Sequence, residues 1–269
     1  MVKKLFKHEF LAYARVMTVV YAILLVVATA SRMIQIYEDD SIAYSIVSTI
    51  SYITYGVSIF AVLGFGFVFA ITRFYKNMFT FEGYLSFTLP VTSAQHIWVK
   101  SVTALCFGCM TLIAVFLSGC IITAGEVLVE IFKALGYIWG KVFEVAKYHA
   151  VLVAIEVVIL LLVFTFTSYL LSYMFISIGQ LFKKNRILAA VGAYFVYYII
   201  TQIISSIFLI VVSEFVPRSF LVKLREFIEL HPYATIHTGV WGMSLLAGLL
   251  ASICFLVVRT ITTKKLNLE

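Results

Sequence analysis

Few residues in this chain are equipped for chemistry, and most of them stand at the edges of long apolar runs. Glu156 is the one acidic residue well inside such a run. A carboxylate in a low-dielectric interior must be paired or put to use. Two readings follow. Glu156 pairs structurally, with a neighbouring helix or with Lys147, or it contacts substrate or couples to a proton. The five histidines, His8, His96, His149, His231 and His237, all fall at run edges. His231 and His237 flank one turn and have the donors for a divalent cation. A structural metal site needs more ligands than two, no third is apparent, and no metal is expected. Cys106-Phe-Gly-Cys109 spells CxxC, but it lies in an apolar segment without a flanking turn, a histidine partner or a second CxxC. The expectation is helix packing by small apolar side chains. HExxH, GxSxG, paired intramembrane aspartates and G-x4-G-K-[ST] are all absent. The chain is therefore not expected to be an enzyme, nor to hydrolyse ATP by itself.

The elements that position these residues follow from composition. Of the 269 residues 63% are hydrophobic and 12% charged, and the mean hydropathy is +1.07. A soluble domain carries about 25% charged residues, so this chain is expected to be an integral membrane protein. About 20 apolar residues cross the hydrocarbon layer. Six runs qualify: approximately 16–36, 43–73, 97–124, 151–181, 187–213 and 236–258. The three prolines, Pro90, Pro217 and Pro232, all lie between them. The first run has a basic start and "ATA" at Ala28–Ala30, the pattern of a signal peptide. Its basic region is long and the run continues past that point, so it is read as a retained span.

Lys and Arg in short loops set the orientation. With the N-terminus inside, 13 of the 20 basic residues face the cytosol, Arg73, Lys76 and Lys100 among them, and nine of the 13 acidic residues face out. The net charge of +7 is then a collar for anionic lipid headgroups, not a nucleic-acid signature. Both termini are expected to be cytosolic.

Between the spans three stretches are amphipathic. Residues 1–15 put Val2, Leu5, Phe6, Phe10 and Tyr13 on one helical face and lysines with His8 on the other. This predicts an interfacial helix lying on the inner leaflet before the chain turns into the first span, with a cytosolic extension of that span as the alternative. The stretch 126–147 alternates apolar and charged faces at helical spacing, with Tyr137 and Trp139 suited to an interface. A third, ended by His231-Pro232, brings Phe220, Leu224, Phe227 and Ile228 together. The short loop Glu38-Asp39-Asp40 reads as a solvated turn. Ala104-x3-Gly108, Gly64-Phe-Gly66, Gly239, Gly242 and Gly248 are expected to allow close helix approach. No repeat or linker divides the chain, which is read as one transmembrane domain, all-α.

One stretch interrupts the lipid-facing pattern. FTFEGYLSFTLPVTS, Phe79–Ser93, leaves the bilayer on the end of the long second span. Phe79, Phe81, Tyr84, Leu85 and Phe87 surround Glu82-Gly83 and supply aromatic and apolar anchors of the kind that dominate interfaces. Pro90 ends the short helix, and Thr92 or Ser93 can cap the next. The alternative is a loop whose aromatics rest on headgroups.

Arg73–Val102, RFYKNMFTFEGYLSFTLPVTSAQHIWVKSV, resembles the permease subunits of ABC transporters of the ABC-2 exporter family. Glu82-Gly83, the apolar Tyr84–Thr88, Leu89-Pro90-Val91-Thr92 and the basic Lys100 carry the resemblance, as does the six-span plan. The helical insert after the third span departs from the family's commoner pattern. The resemblance implies a dimer of permease subunits working with separate ATPase subunits that hold ATP and Mg2+. Residues 77–87 would be the cytosolic coupling helix, contacting the ATPase through Phe79, Phe81, Glu82, Gly83, Tyr84, Leu85 and Phe87. It also implies a bacterial plasma membrane location and an exported amphiphile, whether peptide, drug or lipid-like. Membrane lipid is the other expected partner, and no cofactor is expected in this chain. The rival readings are an ATP-independent transporter or peptide immunity protein, in which Glu156 matters more, and a lipid-modifying membrane enzyme.

Overall fold

The structure, a computed structural model, describes residues 1–37, 40–81, 83, 90–123 and 126–264, and within these the side chains of 126–128 and 145–146 are not described. Glu38 and Asp39 of the acidic loop lie outside the described residues, as do Glu82 and Tyr84–Leu89 of the expected coupling segment. The described residues form eight helices: α1 (Val2–Ile36), α2 (Ile42–Phe79), α3 (Ser93–Ile122), α4 (Glu126–Ala146), α5 (Tyr148–Gly179), α6 (Arg186–Phe215), α7 (Arg218–Leu230) and α8 (Pro232–Lys264). Six of them, α1, α2, α3, α5, α6 and α8, are long and apolar enough to cross a membrane. Val26, Phe60, Leu112, Leu161, Phe208 and Leu246, one from each, are mostly exposed, and α6 buries none of its residues. Apolar surface on that scale is stable in lipid, not in water. The chain is a multi-pass membrane protein.

Contacts group the residues into two compact units, Met1–Phe74 with Leu89–Glu144, and Tyr75–Thr88 with Val145–Glu269. In the first, α1 packs along α3. The Tyr13 and Phe107 rings stack at 5.2 Å, and Phe10 lies 4.8 Å from Phe107. Further along, the Tyr21 hydroxyl donates to the Phe107 carbonyl at 3.1 Å and sits 2.8 Å from the Thr111 hydroxyl. α2 joins them through Tyr13 against Phe69 and through the Tyr55–Ser118 hydroxyl pair at 3.0 Å. A Cβ on Gly66 would meet Met17 Cε at 3.2 Å, so this glycine does allow the close approach expected of it. Gly64, Gly239, Gly242 and Gly248 have nothing within 4 Å of where a Cβ would stand. The cysteines are free thiols.

The expected turn after Arg15 is absent. α1 runs unbroken through it, because Val2–Ile36 contains no Gly or Pro to end a helix. At ~1.5 Å per residue its 35 residues reach about 50 Å. Lys3, Lys4, Lys7 and His8 are exposed and Tyr13 is buried, and Phe10 and Tyr13 meet Phe107 of α3.

In the second unit α5 lies along α8, α6 packs on α5, and α7 touches α8. The Thr167 hydroxyl donates to the Ala247 carbonyl at 3.2 Å, and Phe175 sits edge-on to Tyr194. The α5–α6 turn closes on Asn185 at φ 53°, a left-handed conformation that Asn tolerates better than most residues. Pro232 opens α8, where its missing N–H costs no helical hydrogen bond.

After Pro90 the chain restarts as α3 through a reciprocal cap. The Gln95 N–H donates to the Thr92 hydroxyl at 3.3 Å, and the Thr92 N–H donates to Gln95 Oε1 at 3.0 Å. Thr92→Ala is expected to lose about 1 kcal/mol, measurable as a lower midpoint in detergent unfolding. Thr92→Ser should retain most of it.

Candidate functional site

Two polar clusters lie inside the helical units, and the expected coupling segment lies at the end of α2. In the first unit the carboxylate of Glu9 on α1 accepts from Lys100 Nζ of α3 at 2.5 Å and from Arg73 Nε of α2 at 2.8 Å. Glu9 and Lys100 are buried. The Arg73 guanidinium also stands 5.5 Å from the Tyr13 ring centroid, a cation–π distance. His96, one turn before Lys100, is buried as well. The sequence reading placed Arg73 and Lys100 in a headgroup collar. The structure corrects this, since Glu9 draws both inward. The signal was present: Leu5, Glu9 and Tyr13 are spaced i, i+4, so Glu9 sits on the apolar face of α1. The cluster ties three helices together.

In the second unit Glu156 of α5 is met by α8. One carboxylate oxygen lies 2.8 Å from His237 Nδ1, and the other accepts from the Trp241 indole N–H at 3.0 Å. His237 Nε2 in turn lies 3.0 Å from His149 Nδ1 of α5. The His149 ring stacks on Tyr233, centroids 4.5 Å apart and planes within 2°. The expected pairing with a neighbouring helix is made, and its partners are His237 and Trp241 in place of Lys147. Lys147 instead occupies the N-cap of α5 at φ 49°. The coupling of His237 to His149 was missed, because His231 and His237 were read as the pair. His231 packs against Phe227. The pattern was legible as two facing ladders: His149 and Glu156 at i, i+7, and Tyr233, His237 and Trp241 at i, i+4, i+8. Among the described residues no group of three or more His, Cys, Asp or Glu is placed to hold a metal ion.

The end of α2 departs from the expected boundary. Residues 77–79 continue the helix, so they do not begin a separate one. Phe79 is buried and Phe81, two residues on, is 79% exposed. The Gly83 N–H closes a turn on the Thr80 carbonyl at 2.7 Å. Glu82, Tyr84, Leu85 and Phe87 are outside the described residues.

No protein-family model, curated protein or solved structure matches this chain.

Proposed function

We propose that the chain is the permease subunit of an ATP-driven ABC exporter of the ABC-2 type. Two such subunits, with cytosolic termini, would pair in a bacterial-type plasma membrane. Separate ATPase subunits would bind ATP and Mg2+ and move the segment after α2, and an amphiphile would pass between the permease halves. The observation that carries this reading is the sequence of that segment, EGYLSFTLPVTS, on the end of a helix longer than a span requires. At 38 residues α2 reaches about 57 Å, against roughly 30 Å of hydrocarbon. It hands over to an exposed aromatic, Phe81, and the chain re-enters a spanning helix through the Thr92 cap. A stiff lever, an apolar knob and a firm restart suit an element that transmits force. Phe79, buried, would anchor the lever and leave the docking to Phe81 and the residues after it.

The test is purification of the tagged protein from its native membrane. An ATPase subunit is expected to come with it. Phe81→Asp should weaken that association about 30-fold, the loss of an interface anchor worth about 2 kcal/mol. If no ATPase associates, and if Phe81→Asp and Glu82→Lys both leave transport unchanged, the reading fails. An ATP-independent transporter is then favoured, by the hydrogen-bonded Glu156–His237–His149 chain.

A further inference from the structure

We infer that the α5–α8 seam is a binding site for a single proton, taken in at His149 and held on His237 against Glu156. Hydrogen-bond stoichiometry defines the site, and it holds for either transporter reading. The Trp241 indole can only donate, so the Glu156 oxygen facing it accepts. His237 Nδ1 faces the other oxygen. With Glu156 ionised, His237 must carry hydrogen on Nδ1 and donate it. This leaves His237 Nε2 opposite His149 Nδ1 at 3.0 Å. Two ring nitrogens at that distance share one hydrogen. It belongs to His149 when both rings are neutral, and to His237 when His237 is an imidazolium.

The two states interconvert without moving a heavy atom. A proton from water adds to the lone pair of His149 Nε2. The hydrogen on His149 Nδ1 passes to His237 Nε2, and the bond between the rings reverses direction. One N–H bond breaks, at His149 Nδ1. Two form, at His149 Nε2 and His237 Nε2, which accounts for the one proton added. His149 ends neutral in its other tautomer, and His237 ends as a cation beside the carboxylate. A second proton would place two cations 3.0 Å apart with no acceptor between them, so loading stops at one.

The surroundings are consistent with entry at His149. Its ring lies between Tyr148, at 4.1 Å, and Tyr233, near the α5 N-cap Lys147. The other titratable group of α8 at this end is Tyr233, and His231 caps the preceding α7. On α7, which packs on α8, the titratable groups are Arg218, Lys223, Glu226 and the exposed Arg225–Glu229 pair. On α6, which packs on α5, they are Glu214 and Arg186 at its ends and Tyr194, Tyr197 and Tyr198 between. Glu156 and His237 are the carboxylate and imidazole that meet directly across the seam, with side chains 12% and 19% exposed. Any substrate movement that separates α5 from α8 would break their bond, which ties proton occupancy to the state of the seam.

Nitrogen-15 NMR of histidine-labelled protein in nanodiscs tests this over about pH 8 to 5, the range in which histidine changes charge. Single His→Gln variants at positions 149 and 237 assign the signals. His149 and His237 are expected to respond in one shared step. His149 should switch tautomer while His237 becomes the imidazolium. Glu156→Gln should turn its amide nitrogen to His237, because the Trp241 N–H still needs the oxygen, and so move the resting His237 hydrogen from Nδ1 to Nε2. Two independent one-proton titrations would overturn the inference. So would a His237 tautomer that Glu156→Gln leaves unchanged. The wild-type spectrum alone distinguishes shared from independent titration, so the result survives a variant that fails to fold.

Discussion

Glu9→Gln is expected to cost about 3–5 kcal/mol of unfolding free energy, the range for removing one partner from a buried ion pair. Glu9 is 6% exposed and Lys100 3%, and the same carboxylate also holds Arg73. Removing its charge leaves two cations of α2 and α3 facing an amide that can satisfy neither as a carboxylate does. Desolvation of a cation is what makes the loss large, so taking the cations away should reverse it. Glu9→Leu with Lys100→Met and Arg73→Met is expected to recover most of the stability, since well-packed apolar groups commonly equal a buried ion cluster. Chemical unfolding of the purified variants in mixed micelles measures both. Single-variant losses that add up in the triple variant would mean that the three charges act independently. If it does hold α1, α2 and α3 as one body, the losses are strongly non-additive.

The spans were legible because they depend on one property, apolar length, that local sequence carries in full. α3, α5 and α6 begin and end within a few residues of the runs read for them. The cap at Thr92 was legible for a similar reason, as a residue type at a fixed offset from a proline. The turn expected after Arg15 failed because amphipathicity says that a face will be covered, not by what. An interfacial helix and the first turns of a packed transmembrane helix share the same periodicity, and the partner of α1, Phe107, lies far along the chain. The polar clusters fail on the same ground. Glu156 could be singled out on its own run, but His149 and Trp241 acquire meaning only when α5 and α8 are placed side by side. The glycines make the point from the other direction. Gly64 and Gly66 look alike in sequence, and only Gly66 has a neighbour within reach of its missing Cβ.

Among the glycines whose surroundings are described, the one with the least room was not among those expected to matter. A Cβ on Gly179, the last residue of α5, would lie 2.6 Å from the Arg186 carbonyl oxygen, 2.8 Å from Ala190 Cβ and 3.0 Å from the Ala190 nitrogen. Two of those atoms are backbone of α6, so no side-chain rotation relieves the clash, and the helices must part. Gly179→Ala is expected to lose about 1–3 kcal/mol, the usual cost of forcing a methyl group into a packed contact. The loss works against the better helix propensity of Ala, which alone would favour the variant by up to about 1 kcal/mol. The sign of the result therefore decides whether the contact is as tight as drawn. Ala190→Gly in the same chain removes the Cβ contact and leaves the carbonyl one, so partial rescue is expected, read as a coupling in a double-mutant cycle of detergent unfolding. A stabilised Gly179→Ala variant would show that α5 and α6 are not packed at this turn. Gly179→Leu should go further than Ala, because the longer side chain meets the same α6 backbone atoms and must push them further.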